Sequence, residues 1–136
     1  MELARNAFLT IGLGFSTVVA AADFDGSQPL TCTPKLTQDC KPDKGCSKFV
    51  RDPSEKDKPY TIQIDFAKKT VNTPYRTIPL PIQNSATNDE QLIIQGTDMK
   101  YAWTGIVNRA TGAATITVAA RVGAFVSFAQ CKVATN

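Results

Sequence analysis

A chain of 136 residues that is 43% hydrophobic and 20% charged fits one globular domain and excludes a disordered or collagen-like polymer. Its net charge is +3 and it contains no histidine, which removes Ser-His-Asp and Cys-His nucleophile arrangements and the usual imidazole base or metal ligand. The lysines between Lys35 and Lys58 are interleaved with Asp39, Asp43, Asp52, Glu55 and Asp57. That is a solvated mixture and not the basic stripe that phosphate binding requires, so nucleic acid is not an expected partner.

The first 22 residues read as a cleaved secretory signal. Arg5 lies in a short charged start, Ala7 to Val19 is an apolar run, and Ala20-Ala21-Ala22 is a small-residue site before Asp23. The run is short for a membrane span and no positive stop-transfer cluster follows it, so no stable anchor is expected after removal. Export to the periplasm or the medium places the chain in an oxidising compartment. There its four cysteines, Cys32, Cys40, Cys46 and Cys131, suit two disulfides. Three connectivities are possible; a local clip of Cys40 with Cys46 and a long closure of Cys32 with Cys131 are favoured. The long loop would stabilise by roughly 4–5 kcal/mol and the clip by about half that. No C-x-x-C pair is present, so no metal site is expected.

Asp23 to Pro34 starts with D-x-D-G-S, but Gln28, Pro29 and Leu30 follow where a calcium loop needs further oxygens. It reads as an arm whose Phe24 and Leu30 dock on a sheet. From Lys35 to Pro59 the chain is rich in Lys, Asp and Pro and reads as a long loop, anchored by Leu36, Phe49 and Val50. Its Lys41, Lys44, Lys48, Phe49 and Arg51 are the candidate contacts for a partner.

Tyr60 to Phe66 alternates without a fault and predicts a strand with Tyr60, Ile62, Ile64 and Phe66 on one face. Ala67-Lys68-Lys69 turns the chain and Thr70-Val71-Asn72 returns it. Pro79 and Pro81 put the next stretch at a sheet edge or outside the sheet, and Asn84 to Glu90 reads as a polar turn. Gln91 to Ala120 then reads as three consecutive strands, with Tyr101, Trp103, Gly105 and Val107 on one face and a G1-bulge hairpin over Asn108 to Gly112. The last strand, Ala124 to Lys132, places Phe125, Ser127, Ala129 and Cys131 together. The expected fold is mainly β: a small antiparallel meander, curled sheet or barrel of about seven or eight strands over residues 23–136.

Little chemistry is left for catalysis. Asp65 could pair with Asp89, Glu90 or Asp98 as hydrolytic carboxylates, yet exposed strand and turn carboxylates mostly solubilise, and Ser47-Lys48 are mere sequence neighbours. No catalytic residue and no cofactor is expected. Tyr101 and Trp103 either fill the core or line a barrel interior that holds a small apolar ligand.

Taken together, the Ala-Ala-Ala signal end, DFDGSQPLTC at Asp23 to Cys32, CKPDKGC at Cys40 to Cys46, IDFAKKTV at Ile64 to Val71, LIIQG at Leu92 to Gly96, the stretch from Trp103 to Thr111-Gly112 and the closing Cys131 resemble a group of uncharacterised small exported proteobacterial β-rich proteins. The resemblance implies an exported compartment and a β-rich architecture, and no catalytic residues. In size, export and disulfide use the chain is also similar to periplasmic lysozyme inhibitors, which are small β-barrels, with no inhibitor motif to carry over. The resulting expectation is a monomeric, non-catalytic binding module that meets an envelope or secreted protein through residues 35–59. The alternatives are a carrier of a small apolar ligand using the Trp103 face, or a lysozyme-inhibitor-like protein.

Overall fold

Antiparallel strands account for nearly all the regular structure in the computed structural model, which describes residues 23–74 and 76–135. The signal-peptide reading of residues 1–22 lies outside the described residues. Ten strands follow in chain order: β1 (Leu30–Lys41), β2 (Gly45–Lys48), β3 (Ile62–Asp65), β4 (Thr70–Asn72), β5 (Leu80–Pro81), β6 (Asn84–Thr87), β7 (Gln91–Asp98), β8 (Tyr101–Asn108), β9 (Ala113–Ala120) and β10 (Gly123–Val133). They form one sheet in the order β5-β4-β3-β1-β10-β9-β8-β7-β6, with β2 added to β1 as a side hairpin.

The two ends of that path meet. Only Ile82 and Gln83 separate β5 from β6 in the chain. Ile82 N donates to Lys69 O at 2.8 Å on one side and Gln83 N donates to Gln95 O at 2.9 Å on the other, so the continuous segment 80–87 joins both edges. The sheet is therefore curled onto itself with a single interior. Joining the edges also removes the exposed ladder that would otherwise recruit another chain.

Local sequence explains most elements. Ile62 and Ile64 of β3 are buried while Gln63 between them is exposed, the period of two that a one-sided strand requires. The β8–β9 hairpin closes as the sequence predicts: Asn108 Oδ1 accepts from the amides of Ala110 and Thr111, and Gly112 takes φ +71°, a left-handed value that glycine adopts without a Cβ clash. Disulfides join Cys32 to Cys131 and Cys40 to Cys46, each between residues directly opposite in the ladder.

Three expectations are corrected. Residues 35–59 are not one long loop, because Lys35 to Lys41 continue β1 and Gly45 to Lys48 form β2 across a turn at residues 42–44; beyond β2, residues 49–61 lie outside strands, and they include a short 3-10 turn, Pro53–Glu55. Residues 84–87 are not a turn but β6, held by its register on β7 even though all four side chains are exposed. Val50, expected as an anchor, is exposed.

Candidate functional site

The interior divides along the strand axes. At one end Phe24, Leu30, Cys32, Leu92, Val107 and Cys131 are almost entirely buried. The arm before β1 seals this end. Arg109 donates from Nε to Asp23 Oδ1 at 3.0 Å and from Nη2 to Asp23 Oδ2 at 2.6 Å, Phe24 N donates to Arg109 O at 3.3 Å, and the Phe24 ring sits against Gly112, where a Cβ would come within 2.6 Å of it. The hydrogen bonds from Arg109 to Asp23 raise the guanidinium pKa above its ordinary value. Asp25 Oδ1 accepts from Ser27 N at 2.8 Å. The D-x-D-G-S start is thus a docking clamp in which Asp23 and Asp25 bind separate groups.

The other end is hollow. A cavity of about 410 Å³ is lined by inward residues of nearly every stave, among them Ile62 and Ile64 of β3, Val71 of β4, Leu80 of β5, Ile94 of β7, Trp103 and Gly105 of β8, Ile116 and Val118 of β9, and Phe125 and Ser127 of β10. Thr37 of β1 completes the wall, and Phe49, Tyr60, Thr73, Pro74, Arg76 and Tyr101 stand at the rim. Ile116, Val118, Phe125 and Ser127 point inward yet are only half-buried, as expected of side chains facing open space and not one another. A volume of this size lies within the usual range for small-molecule sites, about 300–1,000 Å³.

Two hydroxyl groups interrupt the apolar wall. Thr37 Oγ1 and Ser127 Oγ share a hydrogen bond at 2.8 Å across the β1–β10 pair. Trp103 is 5% exposed, and its buried Nε1–H has no acceptor among the described residues. Gly96 lies directly opposite Trp103 in the ladder, and a Cβ there would reach within 2.6 Å of the indole. The ring can therefore lie flat against β7 only because residue 96 has no side chain. Gly105 similarly leaves room for Ile94, whose Cγ1 would lie 3.0 Å from an added Cβ.

Two segments frame the opening. Arg76 forms an ion pair with Asp98, tying the chain after β4 to the end of β7. On the other side, β3 covers only Leu30 to Cys32 of β1 and β2 only Gln38 to Lys41, leaving the middle of β1 without a neighbouring strand on that edge. Residues 49–61 span this gap. Phe49 N donates to Thr37 O at 2.8 Å, and the Phe49 ring meets Phe125 edge to face at 6.0 Å. Arg51 stacks on Tyr60 at 4.8 Å and donates to Lys58 O at 3.1 Å.

The residues singled out from sequence are thereby sorted. Trp103 faces the cavity and Tyr101 stands at its mouth, 40% exposed. Of the candidate partner contacts, Phe49 and Arg51 turn toward the cavity rim and its strap. Lys41 Nζ pairs with Asp39 at 2.9 Å and sits 5.5 Å from the Phe125 ring centroid. Lys44 and Lys48 remain exposed on the β1–β2 hairpin. Asp65 Oδ1 accepts from Lys68 N at 2.9 Å in its own turn; that backbone bond lowers its pKa, the opposite of what a general acid needs.

Sequence reasoning missed Thr37, Ile116, Val118 and Phe125 as site residues. Ser127 carried a signal, a hydroxyl on the same strand face as Phe125 and Cys131. Thr37 carried none, because the β1 register shifts between Pro34 and Leu36 and such a bulge reverses which residues point inward.

The two disulfides mark an oxidising compartment, and no helix among the described residues is long and apolar enough to cross a membrane. Comparison with protein-family models, with curated proteins and with solved structures finds no match to this chain.

Proposed function

We propose that this protein is a non-catalytic carrier that binds one small, largely apolar molecule inside the open end of its curled sheet, in the periplasm or outside the cell. The observation that carries the reading is the apolar cavity of about 410 Å³ with Trp103 in its wall. A well-packed domain of this size has few voids larger than a water molecule, and sheets curled from eight staves are wide enough to hold one small ligand. Nothing in the lining offers an acid, a base and a nucleophile together. Uptake and release are the chemistry such a site supports.

Native mass spectrometry of protein purified from the periplasm of an expressing cell tests this. A reproducible small-molecule adduct, lost on denaturation, is the expected result, together with a shift of Trp103 fluorescence when apolar ligands are added. An adduct-free mass and an unmoved emission spectrum across a broad apolar panel would overturn the carrier reading.

A second reading rests on the β1–β2 hairpin. All four residues of β2 are exposed, the tip is clipped by Cys40–Cys46, and Lys44 and Lys48 make it basic. Such a stiff projecting hairpin suits contact with an acidic envelope protein, including a cell-wall hydrolase. Charge reversal by Lys44→Glu and Lys48→Glu should then abolish capture of that partner. Unchanged capture would exclude the hairpin.

A further inference from the structure

We propose that the cavity selects its ligand by length: it takes a single uncharged alkyl chain lying along the strands, and Val107 and Gly105 set how far that chain enters. The inference rests on the carrier reading and specifies its ligand class.

The strand register divides the inner wall into rows. Ile94, Gly105, Ile116, Ser127 and Thr37 are successive partners across β7, β8, β9, β10 and β1, and all of them line the cavity. The next row toward the sealed end is Leu92, Val107, Ala114 and Ala129. None of these lines the cavity, and each is buried. The cavity therefore stops between one row and the next, and Leu92 and Val107 are the large side chains of its floor.

Toward the mouth the rows continue with Trp103, Val118 and Phe125, and then with Tyr101 at the rim. From Tyr101 to Gly105 is four steps along β8, about 13 Å of strand. For staves tilted by about 40° this is roughly 10 Å of depth.

The chemistry of the wall sets the class of molecule. Its inner part is aliphatic, made by Ile62, Ile64, Val71, Ile94, Ile116 and Val118, whereas Phe49, Tyr60 and Tyr101 stand at the rim. Among the lining residues only Arg76 has a formal charge, and it is already paired with Asp98. A charged group drawn inside would lose its hydration with no counter-ion to replace it. Burial of hydrocarbon is non-directional, so such a wall distinguishes molecules by how much of each one fits. Gly105 keeps the inner end clear. Ile94 lies over it, with Cγ1 3.0 Å from where a Cβ would stand, so a larger residue there would occupy the inner end or push Ile94 into it.

The test is isothermal titration with hexanol, octanol, decanol and dodecanol, each below its solubility limit, with octanoate as the charged counterpart. Each methylene taken from water is worth about fourfold in affinity. Octanol should bind about fifteenfold tighter than hexanol. Decanol and dodecanol should gain less than about twofold over octanol, because their added methylenes stay in water beyond the mouth, and octanoate should bind more weakly than octanol. Val107→Ala removes part of the floor and should restore a gain of roughly tenfold from octanol to decanol. Gly105→Val should cancel most of octanol's gain over hexanol, and it decides alone if Val107→Ala does not fold. No gain from hexanol to octanol, full gains through to dodecanol, or octanoate binding tighter than octanol would overturn the inference and leave the carrier reading standing. A break left at octanol by either folded variant would overturn the role of that residue. Failure of every alcohol to bind would overturn the carrier reading and the inference with it.

Discussion

The two ends of the curled sheet use similar side chains for opposite purposes. Val107 on β8 and Val118 on β9 both point inward. Val107 is 1% exposed and packed opposite Leu92, whereas Val118 is half-buried and lines the open space. The sealed end has a plug in Phe24, an Arg109–Asp23 clamp and the Cys32–Cys131 bond. The open end has no plug among the described residues and is framed by a strap and an ion pair. The contrast teaches that stability and binding are separated along the strands: the sealed end holds the staves together, which lets the other end stay unfilled.

Breaking the seal has the largest expected effect. Replacing Cys32 and Cys131 together by alanine releases a crosslink spanning 99 residues and should cost roughly 4–5 kcal/mol, read as a fall in the urea midpoint. The same change at Cys40 and Cys46, spanning 6 residues, should cost about half as much. Equal losses would mean that the hairpin at the open end contributes as much as the seal.

Glycine positions sharpen the same contrast. Gly112 and Gly45 share φ +71°, but a Cβ at Gly112 would meet Cys131 O at 2.6 Å and Phe24 Cζ at 2.6 Å, while one at Gly45 meets nothing within 4 Å. Gly45→Ala should cost about 1 kcal/mol for the left-handed backbone alone. Gly112→Ala should cost about 3 kcal/mol once the overpacking is added. Matching costs from urea denaturation would show that the plug is not seated.

Equal truncations of the two valines come next. Val107→Ala removes buried methyl groups and opens a void, at about 2–3 kcal/mol. Val118→Ala enlarges a space that already exists and should cost less than about 1 kcal/mol. Thermal denaturation of both ligand-free variants measures the difference, and equal costs would contradict a hollow open end.

Acid should have the smallest effect. Hydrogen bonds from Ser27, Ser54 and the Lys68 amide lower the pKa values of Asp25, Asp52 and Asp65 respectively. A carboxylate whose folded value is depressed contributes stability above its unfolded value, near 3.9, and loses it as pH falls through the folded value. None of the three is buried, so solvent screens their hydrogen bonds and the urea midpoint should fall only slightly as pH drops from about 5 to below 3. A midpoint that rose on acidification would contradict the assignment.

The sealed end was the more legible half of the molecule. Its residues follow the rule that buried strand faces alternate, so Val107 was placed correctly by period alone, and the Asn108 to Gly112 hairpin by its turn chemistry. The open end hid itself in two ways. Along β1 the bulge at Lys35 breaks the alternation, and beyond it the first inward position is Thr37, a polar residue that a packed core would exclude but a cavity wall accepts. Along β6 no side chain is buried, so only pairing with β7 makes Asn84 to Thr87 a strand. Tyr101 and Trp103 were legible as an inward aromatic pair. Whether space lay beside them depended on how far β9 and β10 curl, which no local pattern encodes.

Filling the cavity tests the central claim most directly. Ile116 is half-buried and faces the space beside Gly105, so Ile116→Phe adds a ring where the account places nothing. The predicted result is a urea midpoint that is unchanged or higher, with loss of the small-molecule adduct and of the Trp103 response to apolar ligands. A loss of about 1–3 kcal/mol, the usual cost of overpacking a filled core, would contradict the hollow end and the carrier function built on it.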